Sequence, residues 1–259
     1  MVRPHSRRGF TFIGLLVVLA ILGFALAFLV PVIAQVRRAA SQQQSLNNLR
    51  QLALAVHNAH DVYGKLAPIV GRLGNASGTI HFHLLPFVEQ TQIYQNGDGA
   101  VWKNGVYGTV VPVFLDRNDT SAPPGNQYKS WLATTNYAAS WPVFKQGENS
   151  LAQIPDGTSN TFMFTQRYQM CNGTPTAWGY PALNTWAPMF GYYSQARFQS
   201  VPKQADCDPA LPQSLTPAGI EVAMCDGSAR YVSERIGPQT WWFATDPADG
   251  NILGPDFND

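Results

Sequence analysis

Arg7-Arg8-Gly9-Phe10-Thr11-Phe12-Ile13-Gly14-Leu15-Leu16 opens a run of 25 positions without a charge that continues to Ala34, and that run decides the architecture. Seventeen of the 25 are Leu, Ile, Val or Phe. As a helix the run would reach roughly 37 Å at 1.5 Å per residue, more than the roughly 30 Å of a bilayer's hydrocarbon core. On an insertion scale its large apolar residues are worth on the order of −5 to −10 kcal/mol before Gly, Pro and Thr are counted. Gly14, Gly23 and Pro31 do not overturn that sum, so the sequence predicts a membrane segment over 10–34. Arg3, Arg7 and Arg8 precede it with no acidic residue nearby, whereas Arg37 and Arg38 follow it. The earlier, larger cluster keeps the N-terminus in the cytoplasm and sends the bulk of the chain across.

The junction itself resembles the prepilin-type cleavage and methylation segment of type IV pilins and type II secretion pseudopilins. A short basic leader ends in Gly9, Phe10 follows, and the apolar run starts at once. The resemblance implies cleavage between Gly9 and Phe10 by a membrane aspartyl peptidase, N-methylation of Phe10, and an apolar helix that survives maturation. It departs at Gly14, where the family usually carries a glutamate that pairs with a neighbouring subunit's N-terminal amine. Within secretion pseudopilins the missing glutamate is associated with a tip subunit. Two alternatives stay open: an uncleaved signal anchor, and a twin-arginine signal at Ser6-Arg7-Arg8-Gly9-Phe10 cut near Ala25-Leu26-Ala27. The second would leave an apolar stub reaching Ala34.

Past Pro31, which should bend the helix, the chain stays helix-compatible to about His60. Val36, Ala39, Leu46, Leu49, Ala53 and Val56 recur mostly at steps of three and four. One helix from Phe10 to about His60 would be roughly 76 Å long, its lower half in lipid and its upper half packed on a head, with Gly64 and Pro68 ending it. The domain plan is a leader at 1–9, a pilin-like helix at 10–60 and a head at 61–259.

The 259 residues carry 17 basic and 16 acidic side chains, a net charge of +1. Such balance argues against nucleic acid, which needs a clustered basic face. Charged residues are 13%, about half the rough 25% of a soluble domain, while 45% are apolar and 12% aromatic. Global disorder is excluded. The 22 Gly and 19 Pro point to a turn-rich head, and no period of 20–50 residues suggests a solenoid. In that head, Ser77 to Tyr94 reads as helical, while Val110 to Leu115, Thr134 to Ser140 and Thr161 to Arg167 read as strands. Gly219 to Met224 and Ala229 to Val232 flank Asp226-Gly227, a hairpin signal because a two-residue turn needs positive φ. The expected fold is α+β: a long N-terminal pilin-like helix packed on a loop-rich, β-rich head.

Four segments, in order, resemble a large planctomycete family of pseudopilin-like proteins: Asn47 to Lys65, His83-Leu84-Leu85-Pro86-Phe87-Val88-Glu89-Gln90, Asp156-Gly157-Thr158-Ser159-Asn160-Thr161 and Val222 to Ser228. The family's head has no known activity. Its tail motif separates a His from an Asp-Gly pair by nine intervening residues; here the pair is Asp226-Gly227 and the His position is Thr216, which argues against a catalytic role there.

His57, His60 and Asp61 lack the Glu of a His-Glu-x-x-His pattern, and His81 and His83 share a face only on a strand. Asp246, Asp249, Asp256 and Asp259 match no calcium-loop spacing; calcium stays open because some major pseudopilins hold it near the chain end. Of three cysteines, Cys171 and Cys207 lie in loop-like stretches where an oxidising exterior can join them, leaving Cys225 buried. No Gly-x-Ser-x-Gly elbow, P-loop or dinucleotide fingerprint is present, so neither an enzyme nor a resident metal or cofactor is expected.

The expected function is a membrane-anchored structural subunit of a type II secretion or type IV pilus-like assembly. It would sit in the cytoplasmic membrane as a single pass with its head in the periplasm or exterior. Its partners would be prepilin peptidase, other pilin-like subunits, the lipid bilayer and an unidentified cargo. The alternative is a membrane-tethered extracytoplasmic binding module that uses the helix only as an anchor.

Overall fold

The computed structural model describes residues 12–145 and 150–257, and for residues 23, 25–35, 37 and 38 the backbone alone. In chain order the elements are α1 (Phe12–Tyr63), β1 (Val70–Leu73), β2 (Ala76–Thr79), α2 (Ile80–Leu84), α3 (Thr91–Asn96), β3 (Gln127–Tyr128), β4 (Leu132–Ala133), β5 (Tyr137–Ser140), α4 (Trp141–Phe144), β6 (Phe162–Gln166), β7 (Met170–Cys171), β8 (Thr174–Pro175), β9 (Met189–Phe190), β10 (Gln199–Ser200), β11 (Gln213–Ser214), β12 (Gly219–Met224), β13 (Ala229–Ser233) and α5 (Pro238–Thr245). The mixture is α+β with an N-terminal helix and a β-rich head. The chain divides into two compact units, Met1–Gln42 and Gln43–Asp259.

In the first unit α1 is helical from Phe12 through Pro31. Its described large apolar side chains are exposed, from Phe12 (74%) to Phe24 (68%). Among the described residues no helix is long and apolar enough to cross a membrane. The expected span at 10–34 therefore finds no support there; Phe10, Thr11 and side chains 25–34 lie outside the described set. Val36 and Ala39 are exposed, so they do not continue the buried stripe that the spacing suggests.

In the second unit the end of α1 is amphipathic. Ser45, Asn48, Leu49, Leu52, Ala53, Val56 and Ala59 are buried at helical spacing. The helix stops where Gly64 takes φ +69° and its N–H bonds to His60 O at 2.7 Å. Leu49, Leu52 and Val56 share a core with Phe114, Ala139, Phe144, Phe164 and Ala223.

The main sheet runs β13-β12-β6-β5-β9, antiparallel except for the β5–β9 pair. Both faces are covered. Ala139 and Ala223 face the core that includes α1. Their neighbours Ala138, Val222 and Met224 join Phe162, Phe190 and Phe198 around Trp241 of α5. Two-sided burial explains why these strands read as near-continuous apolar runs.

Three expectations need correction. Val110 to Leu115 is not a strand: Pro112–Phe114 forms a 3-10 turn, because Pro112 has no N–H for a ladder. Ser77 to Tyr94 is not one helix. Ser77 to Thr79 pair with β1, then Thr79 caps α2 by accepting from Phe82 N at 3.2 Å. Leu85–Val88 is a 3-10 turn with Pro86 near its start, and Glu89 ends it at φ +61°. The β12–β13 hairpin forms, but with a three-residue loop rather than two. Met224 N bonds to Ser228 O and Gly227 N to Met224 O, with Gly227 of the Asp-Gly pair at φ +89°. That is a tight turn followed by a glycine bulge.

Loops are tied down by buried polar groups and one cross-link. The buried Arg167 guanidinium donates to the carbonyls of Thr185 (2.7 Å), Ala187 (3.0 Å), Met189 (3.1 Å) and Pro209. Burial lowers its pKa to about 10, which leaves it charged at neutral pH. Cys171 and Cys207 form a disulfide with Cα atoms 5.4 Å apart, and Cys225 is a buried free thiol.

Closing a loop across a sequence separation of 36 constrains the unfolded chain by about 4 kcal/mol. The Cys171→Ser/Cys207→Ser double variant of the full chain should lose stability of about that size in guanidinium titration. An unchanged midpoint would contradict a structural role for the bridge.

Candidate functional site

Polar residues on the buried stripe of α1 need partners, because an unpaired buried polar group is costly. Ser45 Oγ lies 3.0 Å from Tyr137 OH, and Asn48 Nδ2 donates to Leu115 O (3.0 Å) and to Tyr137 OH (3.3 Å). From β6, Gln166 Nε2 donates to Asp116 Oδ2 (2.9 Å) and Ser45 Oγ (3.3 Å), while its Oε1 accepts from Glu221 N (3.1 Å). Asp116 also accepts from Asn118 N and Nδ2, and its own N–H donates to Asn136 Oδ1. Asn136 Nδ2 and Gln169 N both donate to Asp119 Oδ2. The helix, β5, β6, β12 and the loop at 116–119 thus meet in one hydrogen-bonded cluster.

Two carboxyls sit deep in it. Burial pushes Glu221 up to about 8; the Ser45 hydroxyl opposes the shift and the Asp116 charge adds to it. One oxygen of Glu221, Oε2, is buried without a hydrogen-bond partner. Asp116 is raised by burial, with Ser45, Asn118 and Gln166 opposing. Burial, then the Asp116 charge, carries Tyr137 well above its ordinary value. At neutral pH Glu221 is largely protonated, which lets a carboxyl lie in the core without a counter-ion. A cavity of about 370 Å³ adjoins the cluster, lined by Gln44, Leu115, Asp116, Arg117, Asp119 and Asn126. The four oxygens of Asp116 and Asp119 already accept hydrogen bonds from this chain. The cluster therefore fastens the helix to the sheet.

The motif residues lie elsewhere. Gly9 and Phe10 are outside the described residues, and Gly14 lies in α1 among exposed apolar neighbours. Thr216 bridges to Gly219 and is hydrogen-bonded to Gly219 O and Tyr231 OH at the open end of the hairpin. Asp226 is at its turn end, where Oδ1 accepts from Ser228 N at 2.8 Å. The structure does not bring the two together. The turn itself is clamped: His57 Nε2 donates to Cys225 O (3.0 Å), and Cys225 N donates to Thr161 O (2.9 Å). Asp156 accepts from Asp249 N (2.9 Å) and Gly250 N (3.0 Å), binding the C-terminal segment to the Asp-Gly-Thr-Ser-Asn loop. Three motif segments that look separate in sequence form one scaffold.

Among the described residues the histidines do not converge on a common ligand. His60 pairs with Ser150 Oγ at 2.9 Å, away from the His57 contact. His81 lies edge-on to Phe114, and burial lowers it to about 3 against the opposing pull of the nearby Tyr137 backbone. His83 Nε2 donates to Gly71 O at 3.1 Å, and burial lowers it to about 4. Of the C-terminal acids, Asp256 accepts from Gly237 N and Thr240 Oγ1 at the start of α5. Asp246 and Asp249 accept from backbone N–H groups two residues on, and Asp259 is outside the described residues. Among the described residues no group of three or more His, Cys, Asp or Glu is placed to hold a metal ion.

These burials set a pH dependence. Between pH 4.5 and 6.5 the unfolded chain binds two histidine protons that folded His81 and His83 refuse, while folded Glu221 keeps one that the unfolded chain has lost. Stability therefore rises with pH there, at about 1.4 kcal/mol per pH unit for each net proton. From pH 6.5 to about 8 Glu221 is the group that differs, and stability falls. Asp116, also raised, has the sign of Glu221. Urea midpoints across pH should peak near 6.5, and Glu221→Gln should flatten the alkaline limb. A limb unchanged in that variant would contradict the buried proton.

Comparisons with known families fit this arrangement of one N-terminal helix and one motif-clamped head. A model described as a prokaryotic N-terminal methylation motif matches residues 4–30. A model described as a protein of unknown function, DUF1559, matches residues 34–102 and 103–239. No curated protein and no solved structure matches the chain. With a prepilin-like N-terminus leading directly into a head matched over most of its length, the chain belongs to the DUF1559 family.

Proposed function

We propose that this chain is a pseudopilin-like structural subunit of a type II secretion or type IV pilus-like envelope assembly. Prepilin peptidase cuts it between Gly9 and Phe10 and methylates Phe10. It is anchored in the cytoplasmic membrane by 10–34 as a single pass, N-terminus inside, head outside. Its role is structural rather than catalytic. The observation that carries this reading is the methylation motif at 4–30, continued at once by the family head from residue 34.

Physical support comes from both ends of the chain. The exposed apolar side chains from Phe12 to Phe24 cost roughly 25 cal/mol per Å² of apolar surface left in water. Lipid or neighbouring helices remove that cost. The Cys171–Cys207 bridge fits an oxidising compartment outside the cytoplasm. Assembly would then rest on close helix packing in lipid, where van der Waals fit replaces the hydrophobic drive.

Gly14 favours a second reading. Without a carboxylate there, no ion pair forms with a neighbour's N-terminal amine. That suits a tip subunit, and it also suits a tethered binding module with no filament partners. Crosslinking through Leu15 to Ile33 separates them, since a lone tether gives no homotypic or pilin-type adduct.

Replacing Gly9 with valine should block maturation. Mass spectrometry of the full chain should find residues 1–9 retained and Phe10 unmethylated, against a methyl-Phe10 start in the parent. A variant that still begins at Phe10, or a parent that begins at Phe28, would contradict this function.

A further inference from the structure

Three loops of the head carry five aromatic side chains in two contact groups, joined through the short turn that bears both Tyr128 and Trp131. Tyr107 and Trp131 meet edge to face at 5.8 Å, Tyr128 and Trp186 at 5.4 Å, and Tyr180 lies 5.0 Å from Trp186. Trp131 is 45% exposed and the other four are half-buried. The Gln127 side chain ties the second loop to the first, its Nε2 donating to Gly108 O at 2.7 Å, and the third loop is closed on itself where Ala177 N donates to Trp186 O at 2.8 Å. Gly179 lies so close to Tyr107 that a Cβ there would stand 2.7 Å from Tyr107 Cα. Between Tyr128 and Trp131 the turn takes φ +49° at Lys129 and +63° at Ser130, a left-handed pair that glycine or asparagine would normally fill. The chain tolerates backbone strain there, and the strained turn carries both Tyr128 and Trp131.

Single exposed aromatics need no explanation, but a contiguous, preformed group marks a binding surface. Its charge identifies the ligand. Residues 105–109, 126–133 and 178–186 contain one charged side chain, Lys129, whose Nζ stands over the Tyr128 ring at 5.2 Å. An anionic polymer would need clustered basic groups, and a protein interface needs an apolar centre broad enough to bury, which one exposed ring and four half-buried ones do not supply. The loops instead offer ring faces beside neutral amides and hydroxyls at Gln127, Ser130 and Asn184. We propose that the surface formed by Tyr107, Tyr128, Trp131, Tyr180 and Trp186 binds an uncharged polysaccharide, with the C–H faces of its sugar rings stacked on the aromatics and its hydroxyls on the amides. The site is independent of whether the subunit polymerises or stands alone.

The full chain in detergent is run in native gels containing hydroxyethylcellulose, galactomannan, xylan or glycogen, with carboxymethylcellulose as the charged counterpart. At least one neutral polymer should retard it. Trp131→Ala should weaken that retardation tenfold or more, Trp131→Phe should restore most of it, and Tyr231→Ala, on β13, should change nothing. Lys129→Gln should leave neutral-polymer binding within twofold. No retardation by any neutral polymer, retardation by carboxymethylcellulose alone, or equal retardation of the parent and Trp131→Ala would each overturn the site. So would a tenfold loss in Lys129→Gln, because it would assign recognition to charge.

Discussion

Apolar side chains that stay exposed from Phe12 to Phe24 impose the constraint on which the proposed function turns. A helix that is apolar all round has no face for water, so it persists only where lipid or other helices surround it. The later part of α1 obeys a different rule. From Ser45 to Ala59 one stripe is buried in the head and the rest is polar or exposed. The change of pattern along a single element separates a stretch whose apolar side chains are exposed from a stretch that is part of the head's own core.

Within the head, the attachment of α1 is as much polar as apolar. Leu49, Leu52 and Val56 supply the apolar contact, while Ser45 and Asn48 reach Tyr137, Gln166 and the loop before Asp116. Directional bonds fix the helix's register in a way that apolar packing alone does not. Burying Glu221 and Asp116 beside Ser45 makes that register sensitive to pH, because ionising either places a charge in the core. The family motifs at 156–161 and 222–228 serve the same end. They clamp the hairpin turn onto His57 and the C-terminal segment onto Asp156, which gives them a structural meaning.

Legibility in the sequence followed the range of the interactions. The end of α1 at Gly64, β6 and the β12–β13 hairpin were readable because glycine conformation and apolar runs act over a few residues. Val110 to Leu115 misled because its apolar content outweighed Pro112, and Ser77 to Tyr94 because Gly78 and Thr79 end one element and begin another within two residues. The polar cluster was out of reach: Gln166 and Ser45 are 121 positions apart, and a polar residue alone reads as surface. One signal was available. Glu221 in the middle of an apolar strand, and Arg167 at the end of another, are charges where the pattern calls for none. The aromatic surface was hidden for the same reason, since its rings come from three distant loops.

The central proposal is topological: that residues 10–34 anchor the chain in the cytoplasmic membrane and that the head lies beyond it. Protease added to spheroplasts tests it most directly, followed by alkaline carbonate washing of the membranes. The account predicts a head digested from outside while a fragment containing 10–34 resists extraction. A head protected until the membrane is broken, or a chain released intact by carbonate, would contradict it.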